Sequence, residues 1–158
     1  MKSERAVLSS IQAHMAKIPG HVGFYYKNLV TGKEAGVREN DAFLAASVIK
    51  LPIFLFVLAQ CASGELSMEE KLWVEDVDKV PGCGALSLFT GPVEADLRTL
   101  CRLMIDLSDN TATNRLIRHC TNPELNRFFR SLGMEKTVLR RLLFDAEASA
   151  AGLENTIC

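Results

Sequence analysis

The hydrophobic positions of the first forty residues change from a helical spacing to an alternating one. Five apolar residues recur three or four positions apart, which predicts a helix that ends at the Pro-Gly pair 19–20: Val7, Leu8, Ile11, Met15 and Ile18. Apolar and polar residues then alternate over 22–27, which predicts a strand. A Thr-Gly turn at 31–32 lets the segment 34–38 return as a second strand. The start of the chain therefore predicts one helix and a β-hairpin.

From about Ala46 the pattern becomes helical and remains so. The predicted helices are 46–62, ending at Ser63-Gly64; 97–106; 111–119, capped by Ser108; and a helix opened by Asn122-Pro123 that runs to Leu132 and closes at Gly133. Between the first two lies a short helical or extended piece over 68–74. Glycine and proline at 81–84 and 90–92 mark a loop-rich middle, and the tail 140–158 is less regular. The prediction is a mainly helical α+β fold.

Composition and charge narrow the function classes. The chain has 158 residues, of which 48% are hydrophobic and 23% charged, so it suits one globular domain. Its 18 basic and 19 acidic residues nearly cancel, so no binding of nucleic acid or of an anionic membrane is expected. The apolar run 51–59 is shorter than a bilayer span, and the start lacks a signal-peptide core. We expect a cytoplasmic protein, or an exported one if a targeting segment was removed.

The cysteines point to a reducing compartment. They are odd in number and widely scattered, with no C-x-x-C pair: Cys61, Cys83, Cys101, Cys120 and Cys158. This spacing argues against a disulfide scaffold and against a zinc site. We expect reduced, mostly buried thiols.

Two short motifs carry the candidate chemistry. Ser47 and Lys50 stand three apart where a helix begins, so they share a face. A lysine desolvated among apolar residues is neutral more readily, and it then accepts the proton of a serine nucleophile. The triplet Ser108-Asp109-Asn110 taken alone is most often a helix cap. Paired with the first motif, it offers a second hydroxyl for a proton relay and an amide for an amide-bearing substrate.

The segments around these motifs resemble a known family. AASVIKLP at 45–52 and LMIDLSDNTATN at 103–114 are similar to the two signature segments of class A β-lactamases, within the penicillin-recognising serine enzymes. The order of the hairpin and of the 82–90 loop also fits, so the resemblance covers about residues 5–156. It implies helix plus hairpin over 1–40, followed over 41–158 by the all-α part of a β-lactamase-like fold with its omega-like loop.

The resemblance also implies roles for the motif residues. Ser47 is the acylated nucleophile, its backbone N–H supplies half of an oxyanion hole, and Lys50 is the general base or a proton relay. No metal or organic cofactor is expected. Ser108 connects that base to the leaving nitrogen, and Asn110 binds the acylamino group of a small-molecule amide or β-lactam. Asp109 is expected to be structural. Within the omega-like segment 140–148, Leu143 takes the place of the family's deacylating glutamate, so slow hydrolysis of the acyl-enzyme is expected.

The C-terminal strands and helix of that fold have no counterpart in these 158 residues. We therefore expect another chain or a symmetry mate to complete the sheet beside the hairpin, or these residues to be a truncated piece of a longer enzyme. Two alternatives to the β-lactam enzyme stay open at this point. One is a non-catalytic scaffold or partner-binding protein with the same fold, and the other is an amidase such as a glutaminase.

Overall fold

The structure, a computed structural model, describes residues 4–158. These residues form two compact units. One runs up to Asp41 and includes Cys158, and the other is Ala42–Ile157.

The first unit contains the predicted helix and hairpin. Helix α1 (Glu4–Met15) ends three residues earlier than its apolar spacing predicts, because the chain turns at 16–18. Strands β1 (Phe24–Lys27) and β2 (Glu34–Val37) pair in antiparallel fashion, as the alternation predicts. No side chain between residues 6 and 41 is buried, and both tyrosines of β1 are about half exposed. A two-stranded hairpin of this kind is marginal in water.

The second unit holds the core and is mainly helical. Its elements follow in chain order: β3 (Phe43–Leu44), a 3-10 turn (Ala46–Ile49), α2 (Lys50–Ser63), β4 (Lys71–Val74), β5 (Val93–Asp96), α3 (Leu97–Asp106), α4 (Asn110–Cys120), α5 (Asn122–Ser131), α6 (Ala146–Ala150) and β6 (Thr156–Ile157). Shorter 3-10 turns occur at Asp76–Asp78 and Leu86–Leu88.

Helix α2 lies at the centre of this unit. Ile49, Ile53 and Val57 recur every four residues and are fully buried, so they form one face of the helix. That face packs against α3, α4 and α5. The segment Ala46–Ser63 is also long and apolar enough to cross a membrane by length and composition. The apolar run 51–59 is only the middle of this segment, and the core helix of a folded domain can be equally long and apolar.

The middle of the chain contains a second hairpin. The piece over 68–74 is extended and forms β4, in which Leu72 and Val74 are buried and alternate with exposed Lys71 and Trp73. It pairs with β5, which lies between the predicted loop and the predicted helix 97–106, in residues that the sequence analysis assigned to no element. The expectation of an unbroken helical pattern after Ala46 was wrong here, because four-residue strands are too short to show a clear period.

The tail is more ordered than its sequence suggests. Strand β6 pairs with β3, and Asp145 caps the short helix α6 by accepting from Ala148 N–H at 2.9 Å. The Asn155 side chain accepts from the backbone N–H groups of Arg140 and Arg141. These contacts hold the omega-like segment against neighbouring parts of the second unit.

The cysteines are all free thiols, but fewer are buried than predicted. Cys101 and Cys120 are buried, and burial raises their pKa values to about 11 and about 12, so both stay protonated. Cys61 is partly buried, while Cys83 and Cys158 are exposed.

Candidate active site

Ser47 lies on the surface, in the 3-10 turn that leads into α2. The preceding Ala46 has a φ of 42°, a left-handed conformation that is costly for a residue with a Cβ. Ser47 itself is exposed, whereas Lys50 is only 3% exposed. The predicted pair is therefore an accessible hydroxyl above a buried amine.

The Lys50 amine contacts all three of the other predicted site residues. Its Nζ lies 3.3 Å from Ser47 Oγ and 2.8 Å from Ser108 Oγ. It also donates to the Ser108 carbonyl oxygen at 2.7 Å and to Asn110 Oδ1 at 2.9 Å. The two serine hydroxyls are 3.1 Å apart. Two motifs about sixty residues apart in sequence thus converge on one nitrogen.

Burial shifts the Lys50 amine toward its neutral form. Desolvation lowers its pKa from the usual 10.5, because the charged ammonium loses its water. The neighbouring Cys83 and Asp109 side chains act in the opposite direction and raise the Lys50 pKa, but they do not cancel the effect of desolvation. The desolvation predicted from the apolar surroundings of Lys50 is therefore present.

Ser108 does not cap the following helix, which corrects the prediction. Asp109 is the N-cap of α4, because its Oδ1 accepts from Ala112 N–H at 2.9 Å. Ser108 has a φ of 53°, and this left-handed conformation directs both its hydroxyl and its carbonyl oxygen to Lys50. Asp109 in the extended region suits a cap, whereas Ser108 is committed to the lysine.

Asp109 also holds the 82–90 loop against the site. It is 1% exposed, and its Oδ2 accepts from the backbone N–H groups of Ala85 and Leu86 at 2.7 and 2.9 Å. Gly84 passes so close that a Cβ there would lie 2.2 Å from the Asp109 carboxyl carbon. The structural role expected for Asp109 therefore depends on a glycine that the sequence did not single out.

The omega-like segment forms the facing wall of the site. Asn114 binds the backbone of Leu143 on both sides, accepting from its N–H at 2.8 Å and donating to its carbonyl oxygen at 3.0 Å. Arg141 donates to the Glu154 carboxylate oxygen Oε2 at 2.6 Å. Sequence reasoning missed these contacts, because Glu154 belongs to no motif that it used, and Asn114 was given no role although it ends the segment 103–114.

An open cleft of about 570 Å³ lies between the two walls. It is lined by Ala46, Ser47, Gly82, Cys83, Asn110, Arg141, Leu143, Phe144, Asp145, Ala146 and Ser149. Ser47 and Asn110 thus both face the space that a substrate would occupy. Leu143, which the sequence analysis aligned with the family's deacylating glutamate, also lines the cleft.

The arrangement supports nucleophilic chemistry by a serine. An exposed hydroxyl, a second hydroxyl and a desolvated amine stand within hydrogen-bond reach of one another, as base-assisted attack requires. Among residues 4–158 no group of three or more His, Cys, Asp or Glu side chains is placed to hold a metal ion.

Several known proteins are similar to this chain in sequence and in fold. Residues 6–158 match the β-lactamase enzyme family. A β-lactamase of Rhodobacter capsulatus is 35% identical over 127 residues, which cover 80% of this chain and 43% of that protein. A structure of PBP-A superimposes with a TM-score of 0.86 at 28% identity, covering 99% of this chain and 58% of that one.

A second PBP-A structure, with the same TM-score of 0.86, is a leucine-to-glutamate variant in an acyl-enzyme complex with penicillin G. The chain spans about half the length of the relatives it matches. The predicted mainly helical α+β fold is confirmed by these superpositions. By the extent of the family match and the identity to its relatives, this chain belongs to the β-lactamase enzyme family.

Proposed function

We propose that Ser47 attacks β-lactams or related amides and forms an acyl-enzyme that hydrolyses slowly. The observation that carries this proposal is the set of contacts around one nitrogen. Lys50 Nζ touches both serine hydroxyls and is held in place by two oxygens that can only accept, Ser108 O and Asn110 Oδ1.

The neutral form of Lys50 suits the role of base. A neutral amine has two N–H bonds and one lone pair. The two accepting oxygens take up the two N–H bonds, so the lone pair is left for a hydroxyl proton. Desolvation lowers the Lys50 pKa and so increases the neutral fraction at a given pH.

The distances favour a relay through Ser108. Ser47 Oγ is 3.1 Å from Ser108 Oγ, which is 2.8 Å from Lys50 Nζ, while the direct contact between Ser47 Oγ and Nζ is longer, at 3.3 Å. As the Ser47 Oγ–carbon bond forms, the proton passes to Ser108, and Ser108 gives its own proton to Lys50. When the amide C–N bond breaks, Ser108 gives its hydroxyl proton to the leaving nitrogen and takes the proton back from Lys50, while Ser47 Oγ stays bonded to the acyl carbon.

Asn110 is suited to bind the substrate's amide. Its Oδ1 is held by Lys50, and its Nδ2 has a long contact of 3.3 Å to the Pro81 carbonyl oxygen. The side chain lines the cleft beside Ser47, where it can exchange that weak contact for one to the substrate.

The composition of the cleft accounts for slow hydrolysis of the acyl-enzyme. A deacylating water needs a base, and Leu143 offers none. Asp145 is the one carboxylate that lines the cleft among the described residues, and one of its oxygens caps α6. The leucine-to-glutamate variant of PBP-A, a protein with the same fold, has been captured as an acyl-enzyme with penicillin G.

Labelling with a fluorescent penicillin tests the proposal. Wild type should be labelled covalently, and Ser47→Ala should lose all labelling, because the attacking oxygen is gone. Ser63→Ala is a matched control, since this serine lies at the far end of α2 and bonds only locally to Gln60 O. Equal labelling of Ser47→Ala, or none of folded wild type, would overturn the proposal.

A further inference from the structure

The charges that line the cleft are not balanced. Arg141 is neutralised, since it donates to Glu154 Oε2 at 2.6 Å and to the Leu142 carbonyl oxygen at 3.1 Å. Asp145 forms no salt bridge in the part of the chain that the structure describes. Its Oδ1 accepts from Ala148 N–H, and its Oδ2 accepts from no donor in that part of the chain. The wall opposite the 81–84 loop therefore carries one uncompensated negative charge.

An aromatic ring stands next to this carboxylate. Phe144 is 53% exposed and lines the same cleft. Its ring reaches across to the facing loop, where a Cβ on Gly82 would come within 2.9 Å of the ring's Cζ. A carboxylate and an exposed ring edge, side by side, suit a ligand group that is cationic and partly apolar.

We infer that Asp145 is a specificity-determining residue that selects substrates whose acyl group carries an ammonium. This inference rests on the proposed acylation of Ser47. Ser47, Phe144 and Asp145 line the same cleft. A substrate acyl group that extends from Ser47 along this wall therefore meets Phe144 and Asp145. Amides bearing a carboxylate at that position are disfavoured by the same charge.

Three penicillins provide a matched set of probes. Ampicillin, benzylpenicillin and carbenicillin share the ring system and the phenyl group, and they place an ammonium, a hydrogen or a carboxylate on the same carbon. The measured quantity is the acylation rate constant of Ser47, obtained by competition with a fluorescent penicillin. Wild type should rank them in that order.

Asp145→Asn removes the charge and keeps the fold, because asparagine also caps helices. Two unit charges about 6 Å apart in water change a rate roughly threefold, so the ampicillin-to-carbenicillin ratio should fall roughly tenfold in the variant. The wild-type ratio should also shrink at high salt, because the site is open to solvent. Glu147→Gln is the control, since it removes a neighbouring carboxylate that does not line the cleft.

The outcomes separate the two claims. An unchanged ratio in Asp145→Asn, with all three compounds still acylating Ser47, overturns the inference and leaves the proposed function intact. A change in adduct lifetime without a change in the ratio also overturns it, because Asp145 would then act on hydrolysis. No acylation of folded protein by any of the three overturns the proposed function, and the inference falls with it.

Discussion

At the scale of single residues, Lys50 sets the pH dependence of the site. Because desolvation lowers its pKa below 10.5, we predict that the acylation rate constant rises about tenfold per pH unit and levels off at a midpoint below that value. Lys50→Arg is the comparison, since a guanidinium stays charged and should give little acylation at any pH. A wild-type rate that is flat between pH 5 and 9 would contradict the role of Lys50 as base.

The same pKa shift has a consequence for stability. The folded protein releases the Lys50 proton at a lower pH than the unfolded chain does. The free energy of unfolding therefore gains a contribution that grows with pH between the folded pKa and 10.5.

Ser108 combines an active hydroxyl with a strained backbone. Both Ser108→Ala and Ser108→Gly remove the hydroxyl that bridges Ser47 and Lys50, so both should acylate slowly. Only glycine relieves the φ of 53°, and we predict that Ser108→Gly is about 1 kcal/mol more stable than Ser108→Ala. Thermal unfolding measures the difference, and equal stabilities would show that the conformation costs nothing.

At the scale of elements, the 82–90 loop is held to α4 where Gly84 packs directly against Asp109, the N-cap residue of that helix. Gly84→Ala places a Cβ 2.2 Å from the Asp109 carboxyl carbon at a φ of 125°. We predict a loss of about 2–4 kcal/mol and slower acylation, because Asp109 then releases Ala85, Leu86 or the cap of α4.

Gly91→Ala is the control for that substitution. Gly91 also has a left-handed φ, 78°, but a Cβ there meets no atom within 4 Å. Gly91→Ala should lower the free energy of unfolding by about 1 kcal/mol, because only the backbone conformation is strained. Similar losses for the two variants would mean that the close approach to Asp109 is unimportant.

The elements that sequence predicts well are those with enough residues to show a period. Helix α3 has the predicted bounds, and its buried face contains Leu97, Leu100 and Met104 as the spacing indicates. Strands β3 and β6 have two residues each and show no period.

The four site residues were predictable because each pair belongs to a short motif that is contiguous or nearly contiguous in sequence. Asn114 was not found as a contact of Leu143, because that contact joins segments 29 residues apart.

At the scale of the whole molecule, no side chain of residues 6–41, the described part of the first unit, is buried. Among its described residues, Leu29 and Val30 are 88% and 95% exposed, and both strands of the hairpin have an open edge. We predict that this hairpin pairs with another chain or a symmetry mate, because exposed apolar strands favour edge-to-edge association.

Light scattering over a range of concentrations tests that prediction. Wild type should show association that increases with concentration. Tyr25→Lys, a charge placed on the exposed face of β1, should reduce it. A wild-type monomer at all concentrations, with a hairpin protected from hydrogen exchange, would contradict the prediction.

The most direct test of the central claim is the intact mass of the protein after exposure to benzylpenicillin. Wild type should gain one adduct with the full mass of benzylpenicillin, because ring opening releases no fragment, and peptide mapping should place it on Ser47. After free drug is removed, the adduct should persist for on the order of an hour or more, which corresponds to a barrier above about 22 kcal/mol. No adduct, an adduct on another residue, or complete hydrolysis within seconds would contradict the account.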